Sequence, residues 1–327
     1  MMVTFRELEM YKNFDELAED VIDLAKEILP DQLFCLSSIS DTQQMILKLS
    51  QNDTAIPVEE GMVINLEDSL CSRVDFKNKQ PLVYEDVKDG HALGAFEEKL
   101  EAANVRSYLG LPISFVNGER FGTLCAVNDE KSQFDAKSIT LLQRIVRMFT
   151  YYLDLERFAY RDSLTDLYNR HFLTRFFEGN SKAGGAVFLL DLDGFKKVND
   201  LYGHDTGDVV LKEVASKLQR FTADHPDALA IRLGGDEFLV CFTEPANAAE
   251  LSERADGLLD SLSDWEADYP LSASIGIAQY VAGGDCNLKE LLQQADQALY
   301  QSKKSREEPL YFLLSSKLSV LRSGDIG

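Results

Sequence analysis

A helical periodicity between residues 136 and 160 divides the chain into two halves with different patterns. Apolar side chains recur there at steps of three and four: Leu141, Leu142, Ile145, Met148, Phe149, Tyr152 and Leu155. This spacing predicts one long helix. The chain has 327 residues, enough for two domains that each bury a core. We therefore expect a domain over 1–135, a connecting helix over 136–160 and a second domain over 161–327.

The predicted connecting helix has two interpretations. Its apolar residues either pack against the first domain or pair with a second copy of the same helix. Two to three heptads are too few to identify a coiled coil, so both interpretations stay open.

The first half has the pattern of an α+β domain. Residues 14–29 are spaced as an amphipathic helix, and short strand-like runs follow at 33–36, 45–49, 82–84, 108–115 and 121–127. Asn117 and Gly118 separate the last two runs, and Asn-Gly between apolar runs favours a hairpin. A largely antiparallel sheet is therefore expected.

The second half alternates strands with helices. Strands are predicted at 186–190 and 271–278, a hairpin at 231–242, and helices at 209–221, 247–262 and 288–303. This alternation is typical of an α/β-type domain.

Charge limits the classes of partner. The formal net charge is -22, from 33 Lys+Arg against 55 Asp+Glu. Such a surface repels phosphate polymers and anionic lipids, so we expect neither nucleic acid nor a membrane as partner. A nucleotide remains compatible, provided that metal ions neutralise its phosphates.

Location is predicted from the termini and the cysteines. Acidic residues interrupt the first twenty positions where a signal peptide needs an apolar run, and no apolar stretch is long enough to span a bilayer. Five cysteines stand without CxxC spacing, which is typical of free thiols. These features predict a cytoplasmic protein.

Two carboxylates follow the buried strand at 186–190. Asp191 and Asp193 stand at its carboxyl end, where open α/β folds place ligands, and hard oxygen ligands suit Mg²⁺. A calcium loop is rejected, because Lys196 occupies the position of its glycine and Tyr202 that of its last glutamate. Taken alone, the two acids are equally well explained as turn caps.

Two more acids follow a glycine pair inside the predicted hairpin. Gly234 and Gly235 predict a tight turn with close approach of the backbone to a ligand. Asp236 and Glu237 follow at once. Turn carboxylates are usually only solvated, but here the cluster at Asp191 is available to share a metal.

These motifs resemble the GGDEF family of diguanylate cyclases. Its signature stands at 234–238 as GGDEF, and the other matching stretches follow the family's order over about 160–314: DSLTDLYNR at 162–170, DLDGFKKVNDLYGHDTGD at 191–208, SASIGIA at 272–278 and ADQALYQSK at 295–303. A pentapeptide match together with this order makes the resemblance specific.

The resemblance implies a reaction and its metal ligands. In this family each ribose 3′-hydroxyl of two GTP molecules attacks the other's α-phosphate, and two Mg²⁺ ions, with Mn²⁺ as a substitute, assist. Asp191 and Asp236 match the metal-binding carboxylates, and the Leu192 carbonyl is a further ligand. Asp236 also matches the proton acceptor, with Glu237 beside it.

The resemblance also implies the residues that contact substrate. Lys196 and Lys303 match lysines that contact phosphate. We expect Lys196 to be one of the catalytic residues, together with Asp236 and Glu237. Asn199 and Asp208 match the pair that reads the guanine edge, whose N–H donors adenine lacks. His204, Gly234 and Gly235 complete the expected substrate site.

Each of these residues also has a purely structural explanation. Asp208 precedes an apolar helix and could be its N-cap, while Lys303 in a last helical turn suits the helix dipole. Asn199 could be a turn residue, and His204 could be structural. Their joint spacing favours the nucleotide site.

The chain departs from the family pattern in two places. Many members carry an inhibitory Arg-x-x-Asp before the glycine pair, where this chain has His225 and Ala228. Product inhibition there loses its guanidinium partner and is not expected. The family's usual Lys-x-x-Gly-Arg after the last helix is also altered, which leaves Arg306 without a defined role.

The first domain resembles a GAF domain. The resemblance rests on residues 69–73, 81–87, 107–113, 118 and 121–129 and on the long closing helix. GAF domains bind small ligands, tetrapyrroles or nothing. Ser72, not His, follows Cys71, which argues against a covalent bilin, and His91 alone is weak evidence for haem.

The sequence therefore predicts an α+β, GAF-like sensor with an antiparallel sheet, joined by a long helix to an α/β cyclase-like GGDEF domain. The reaction needs two cyclase domains face to face, which implies a homodimer. A small-molecule ligand at the sensor stays open. The rival hypothesis is an inactive module that binds GTP or cyclic di-GMP, and the acids at 191, 236 and 237 argue against it.

Overall fold

The structure, a computed structural model, describes residues 8, 11, 13–51, 54–89, 93–94, 96–180, 184–263, 265, 271–281, 287–304 and 311–314. The chain divides into two compact units, Met1–Arg157 and Phe158–Gly327. His91, Arg306 and one of the five cysteines, Cys286, lie outside the described residues.

The first unit is a six-stranded antiparallel sheet with helices, as predicted. Its strands are β1 (Leu33–Ile39), β2 (Gln43–Leu49), β3 (Val63–Asn65), β4 (Leu82–Tyr84), β5 (Ser107–Ser114) and β6 (Arg120–Asn128). They lie in the order β3-β2-β1-β6-β5-β4, with every neighbouring pair antiparallel. The helices are α1 (Phe14–Ile28), α2 (Phe96–Ala102) and α3 (Ala136–Tyr160), and two 3₁₀ turns span Leu66–Asp68 and Leu70–Arg73.

Helix α3 has two apolar faces where the sequence suggested one stripe. One face is buried and comprises Leu142, Val146, Phe149 and Leu153. The ring of Phe149 lies 6.2 Å from that of Phe14 and 6.0 Å from that of Phe121, so this face packs on α1 and β6. The other face is exposed at Met148, Tyr151, Leu155 and Phe158, by 72%, 55%, 69% and 76%.

The second unit is a six-stranded mixed sheet whose strands alternate with helices. Its strands are β7 (Tyr168–Asn169), β8 (Gly185–Asp193), β9 (Ala228–Gly234), β10 (Glu237–Phe242), β11 (Ser272–Tyr280) and β12 (Tyr311–Leu314), in the order β12-β11-β8-β10-β9-β7. Its helices are α4 (Arg170–Asn180), α5 (Phe195–Tyr202), α6 (His204–Ala223), α7 (Ala248–Ser263) and α8 (Leu288–Lys304).

Strand β8 is the centre of this sheet and fixes where its acids emerge. It pairs antiparallel with β10 on one side and with β11 on the other. Phe188 and Leu190 are buried, and the ring of Phe188 lies 5.0 Å from that of Phe242 on β10. Neighbouring strands hold the apolar part of β8 on both sides. Its polar C-terminal end therefore emerges at a defined place where the strands of the sheet end.

Two structural explanations from the sequence are wrong. Helix α6 begins at His204, five residues earlier than predicted, so Asp208 lies within the helix and is not its N-cap. Asn199 lies within α5 and is not a turn residue. The sequence pattern predicted no helix between the strand at 186–190 and residue 209. The structure instead has two consecutive helices there, α5 and α6, which Gly203 separates.

The described cysteines are reduced, and the described helices are too polar or too short to cross a membrane. Cys35, Cys71, Cys125 and Cys241 are free thiols, and all four are buried. Within the described residues, no helix combines the length and the apolar character that crossing a membrane requires.

Candidate active site

The acids at the end of β8 and the start of β10 meet across the sheet. Asp191 lies opposite Glu237 in the β8–β10 register and opposite Ser274 in the β8–β11 register. Asp191 is half-buried, whereas Glu237 is exposed. Antiparallel pairing thus brings the strand end at 191 and the glycine turn at 234–236 together. They lie at one edge of the sheet, the edge formed by strand ends and not by an outer strand.

A lysine from the last helix contacts this edge. The Lys303 Nζ lies 2.5 Å from Asp191 Oδ1, and the two side chains are 37% and 21% exposed. The predicted place of Lys303 in the last turn of its helix is also observed, since α8 ends at Lys304. The lysine is therefore in direct contact with a proposed metal ligand, not merely placed for the helix dipole.

Asp236 lies in an environment that disfavours its charge. Partial burial raises the pKa of the Asp236 carboxyl, and the nearby negative charge of Asp191 raises it further. The Asp236 backbone N–H, Lys303 and Arg232 act in the opposite direction without reversing the shift. A carboxylate with a raised pKa beside a second carboxylate is the electrostatic arrangement expected of a cation site or a proton acceptor.

The glycine turn requires glycine and is clamped by an arginine. Gly234 has φ 145° and Gly235 has φ 55°, a region that favours glycine. Arg232 donates from Nε and Nη2 to the Gly235 carbonyl, at 3.1 and 2.8 Å, and from Nη1 to Asp162 Oδ1 at 2.7 Å. One guanidinium thus ties the turn to the DSLTDLYNR motif.

Asp162 is held in its ionised form by this clamp. Burial raises the pKa of its carboxyl, but hydrogen bonds from Thr165 and Arg232 outweigh the burial, so the net shift is downward. The sequence analysis assigned no role to Arg232, although its position two residues before Gly234 is a signal that could have suggested one.

Asn199 and Asp208 lie on the consecutive helices α5 and α6. The Oδ1 atom of Asn199 is buried without a hydrogen-bond partner in the described residues. A Cβ on Gly207 would lie 1.9 Å from that atom, so any larger residue there would displace the amide. Asp208 is exposed next to it in sequence. An amide that has no partner for its oxygen among the described residues and an exposed carboxylate on the next helix are groups suited to recognising a base edge.

Lys196 and His204 are exposed on the same two helices. Lys196 is in the first turn of α5, and His204 is the first residue of α6. In the part of the chain that the structure describes, neither side chain forms an ion pair with Asp191 or Asp236, and the roles of both residues stay predictions. Leu192, on β8, has its side chain buried in the hydrophobic core of this unit.

A cavity of about 590 Å³ opens beside the acids. Its lining includes Asp191, Glu237 and Lys303, together with residues from one face of α8: Asp296, Gln297, Leu299, Tyr300 and Gln301. The sequence analysis did not single out Asp296. Its carboxylate lines the same space only because α8 packs on the sheet edge.

The donor set fits a divalent cation with few protein ligands. No cluster of three or more His, Cys, Asp or Glu side chains that could hold a metal occurs among the described residues. Asp191 and Asp236 nevertheless supply two hard oxygen ligands, and an ammonium group already stands against one of them. Mg²⁺-type ions are bound by one or two carboxylates plus substrate phosphates, so the residues present fit such an ion.

Two family models cover most of the chain. Residues 159–309 match "Diguanylate cyclase, GGDEF domain", and residues 12–149 match "GAF domain". These ranges agree with the two compact units.

Several characterised proteins are similar to the chain. Diguanylate cyclase DgcP of Escherichia coli is 26% identical over 328 residues, covering 91% of this chain and 92% of that protein. Diguanylate cyclase DgcS of Shewanella oneidensis is 34% identical over 172 residues, covering 50% of this chain and 56% of that protein. The coiled coil and GGDEF domain of DgcB from Caulobacter crescentus, solved with c-di-GMP, is 26% identical with a TM-score of 0.47, covering 55% of this chain and 98% of that one.

Proposed function

The chain belongs to the GGDEF family of diguanylate cyclases through residues 159–309 and carries a GAF domain over residues 12–149, and on that premise we propose that it condenses two GTP into cyclic di-GMP and two pyrophosphates under control of the GAF domain. One observation carries the proposal. Asp191 and Asp236 stand close enough for one charge to raise the pKa of the other, and Lys303 faces them.

The chemistry assigned to the acids follows from this arrangement. The 3′-hydroxyl of one GTP must lose a proton as its oxygen attacks the α-phosphate of the other GTP, and pyrophosphate leaves. Asp236 accepts that proton, because it lies at the glycine turn near Asp191 and matches the proton acceptor of the family. Glu237 follows it in the sequence and lines the cavity together with Asp191 and Lys303.

The metal is the second component. GGDEF diguanylate cyclases depend on a divalent metal, and we propose Mg²⁺, with Mn²⁺ as a substitute, held by Asp191, Asp236 and the Leu192 carbonyl. When bound, it neutralises phosphate charge and lowers the pKa of the attacking hydroxyl. Lys303, freed from Asp191, binds phosphate, and Lys196 provides a second cation for the triphosphate.

Guanine selection is assigned to α5 and α6. Asp208 accepts hydrogen bonds from the guanine N1–H and N2 amine, and Asn199 pairs with the remaining edge. His204 contributes a further substrate contact at the start of α6, and the turn at Gly234 and Gly235 lets the backbone approach the nucleotide. Adenine lacks the matching donors, so ATP leaves Asp208 unpaired and is rejected.

Two cyclase domains must meet, because each supplies one GTP. The exposed face of α3 supports a homodimer, since Met148, Tyr151, Leu155 and Phe158 recur at steps of three, four and three, the spacing of a coiled-coil seam. We propose that this face pairs with a second copy, that the protein works in the cytoplasm, and that the sequence ranges 1–135, 136–160 and 161–327 are its sensor, connecting helix and cyclase.

Product feedback through an Arg-x-x-Asp site is not part of the proposal. His225 Nδ1 lies 2.9 Å from the Phe221 carbonyl oxygen, and its ring stacks on that of Phe221 with a centroid distance of 4.4 Å. The imidazole is therefore engaged with its own helix, and Ala228 offers no carboxylate.

The test is direct. Purified protein is incubated with GTP and a divalent metal, and the nucleotide products are separated and identified. Cyclic di-GMP and pyrophosphate in a one-to-two ratio are expected. Binding of GTP without any turnover would favour the inactive module instead.

A further inference from the structure

A second cavity lies inside the GAF unit and has a different chemistry from the cyclase site. It measures about 210 Å³ and is walled mainly by aliphatic side chains such as Ile46, Val58 and Val105. Asp68 and Lys99 form an ion pair that also lines it, and their side chains are 36% and 46% exposed. The cavity therefore reaches the surface beside this pair, which gives a small solute a way in.

The inner end of the cavity holds a pair of thiols. Cys71, on the 3₁₀ turn Leu70–Arg73, and Cys125, in the middle of β6, place their Sγ atoms 3.4 Å apart. Both residues are buried, 2% and 4% exposed, and both line the cavity. A disulfide needs an S–S distance of about 2.0 Å, so a small inward movement of the 3₁₀ turn would join them.

The surrounding hydroxyls favour a thiolate at one of the two sulfurs. Tyr108 Oη and Thr123 Oγ1 each lie 3.3 Å from Cys71 Sγ. Hydrogen bonding with Cys125 lowers the pKa of Cys71, and although burial opposes this shift, the neighbouring hydroxyls reinforce it. The same hydrogen bond, together with burial, raises the pKa of Cys125. Cys71 is thus the sulfur of the pair that more readily becomes a thiolate.

A third cysteine in the same cavity provides a contrast. Cys35 lies opposite Cys125 in the β1–β6 register and lines the cavity as well. Burial, followed by the charge of Cys71, raises the pKa of Cys35 to about 12. Location in the cavity therefore does not by itself create a reactive thiol, and the hydroxyl cluster around Cys71 makes the difference.

We propose that Cys71 and Cys125 form an oxidisable dithiol site for small hydroperoxides that enter the GAF cavity. The Cys71 thiolate attacks the terminal peroxide oxygen, the O–O bond breaks, and the other oxygen leaves with a proton as water or an alcohol. Cys71 then carries a sulfenic acid. The Cys125 sulfur attacks the Cys71 sulfur and displaces a second water, so that two thiols and one peroxide give one disulfide and two molecules of water, or one water and one alcohol.

The experiment uses the reduced full-length chain, hydrogen peroxide as the probe and blocking of remaining thiols under denaturing conditions. Peptide mapping should find a Cys71–Cys125 disulfide, with loss of two hydrogen masses that dithiothreitol reverses. Oxidation of Cys71 should be at least about tenfold faster than that of Cys35 or Cys241, because only a thiolate reacts rapidly.

Three variants separate the steps. Cys125→Ser should stop at a Cys71 sulfenic acid that dimedone traps, whereas Cys71→Ser should leave Cys125 unmodified and Cys35→Ser should leave the disulfide unchanged. Circular dichroism checks that each variant is folded. The proposal is overturned if the folded wild-type chain forms no Cys71–Cys125 disulfide, if the thiols react at equal rates, or if Cys125→Ser traps no sulfenic acid.

Discussion

Each of the two units has a six-stranded sheet and a cavity beside it, but the two cavities differ in the charge of the side chains that line them. The GAF unit has a mainly aliphatic cavity of about 210 Å³, which is also lined by thiols, a tyrosine and the Asp68–Lys99 ion pair. The cyclase unit leaves a cavity of about 590 Å³ at a sheet edge lined by carboxylates and a lysine. A site for phosphate and metal needs charges that remain solvated until the ligand arrives, whereas a mainly aliphatic cavity can bury its few polar groups when they hydrogen-bond to one another.

Charged residues and neutral polar residues thus each lie where burying them costs little free energy. Asp191 and Asp236 are only half-buried, so their mutual repulsion is tolerated before a cation binds. Cys71 and Tyr108 are almost fully buried but hydrogen-bonded to each other. Substitutions should therefore affect mainly activity in the cyclase site, and the experiments below test this from the largest expected effect to the smallest.

Asp236→Ala and Asp191→Ala should each reduce cyclic di-GMP formation by at least about 10³-fold, because each removes a proposed metal ligand. Thermal unfolding should change little. Glu253→Gln, which alters an exposed acid on α7, is the matched control and should keep full activity. Substantial turnover by either folded alanine variant would remove these acids from the mechanism.

Gly207→Ala and Asp208→Ala should raise the KM for GTP by about 10- to 100-fold. In the first variant the new methyl group displaces the Asn199 amide, and in the second the carboxylate proposed to bind guanine is lost. Steady-state kinetics with GTP and ATP measure the effect. If wild-type protein used ATP and GTP equally well, the assignment of the guanine edge would be wrong.

Leu155→Glu should weaken self-association and lower activity about tenfold at dilute protein, because it places a charge in the exposed apolar face of α3. Sedimentation should show a shift toward monomer. Lys137→Glu, at an exposed position near the start of the same helix, changes charge without touching that face and serves as control. An unchanged dimer in the Leu155 variant would exclude this face as the interface.

Asp236→Asn should raise Tm slightly at neutral pH while abolishing activity. The folded pKa of Asp236 is raised, so the folded state binds this proton more tightly than the unfolded state does. The resulting stability is present below the unfolded pKa and is lost as pH rises through the folded pKa. The advantage of the asparagine variant should therefore appear at neutral pH and vanish in acid, which thermal scans across pH can measure.

Local patterns in the sequence predicted most elements of both units. Helix α3 has the predicted bounds 136–160, and the hairpin around Gly234 and Gly235 pairs β9 with β10 as expected. These features depend on periodicity and turn chemistry, which act over a few residues. The start of α6 was misplaced because Gly203 separates two helices within an otherwise polar stretch.

The sequence by itself determined the family, the glycine turn and the acids at 191, 236 and 237, because a specific motif at fixed spacing needs no knowledge of packing. Tertiary structure alone decided which groups meet: Lys303 against Asp191, Arg232 against Asp162, and Cys71 against Cys125. It also divided the apolar residues of α3 into a buried and an exposed face. Contacts between residues far apart in sequence arise from strand order and helix packing, and a single chain's pattern carries no direct record of either.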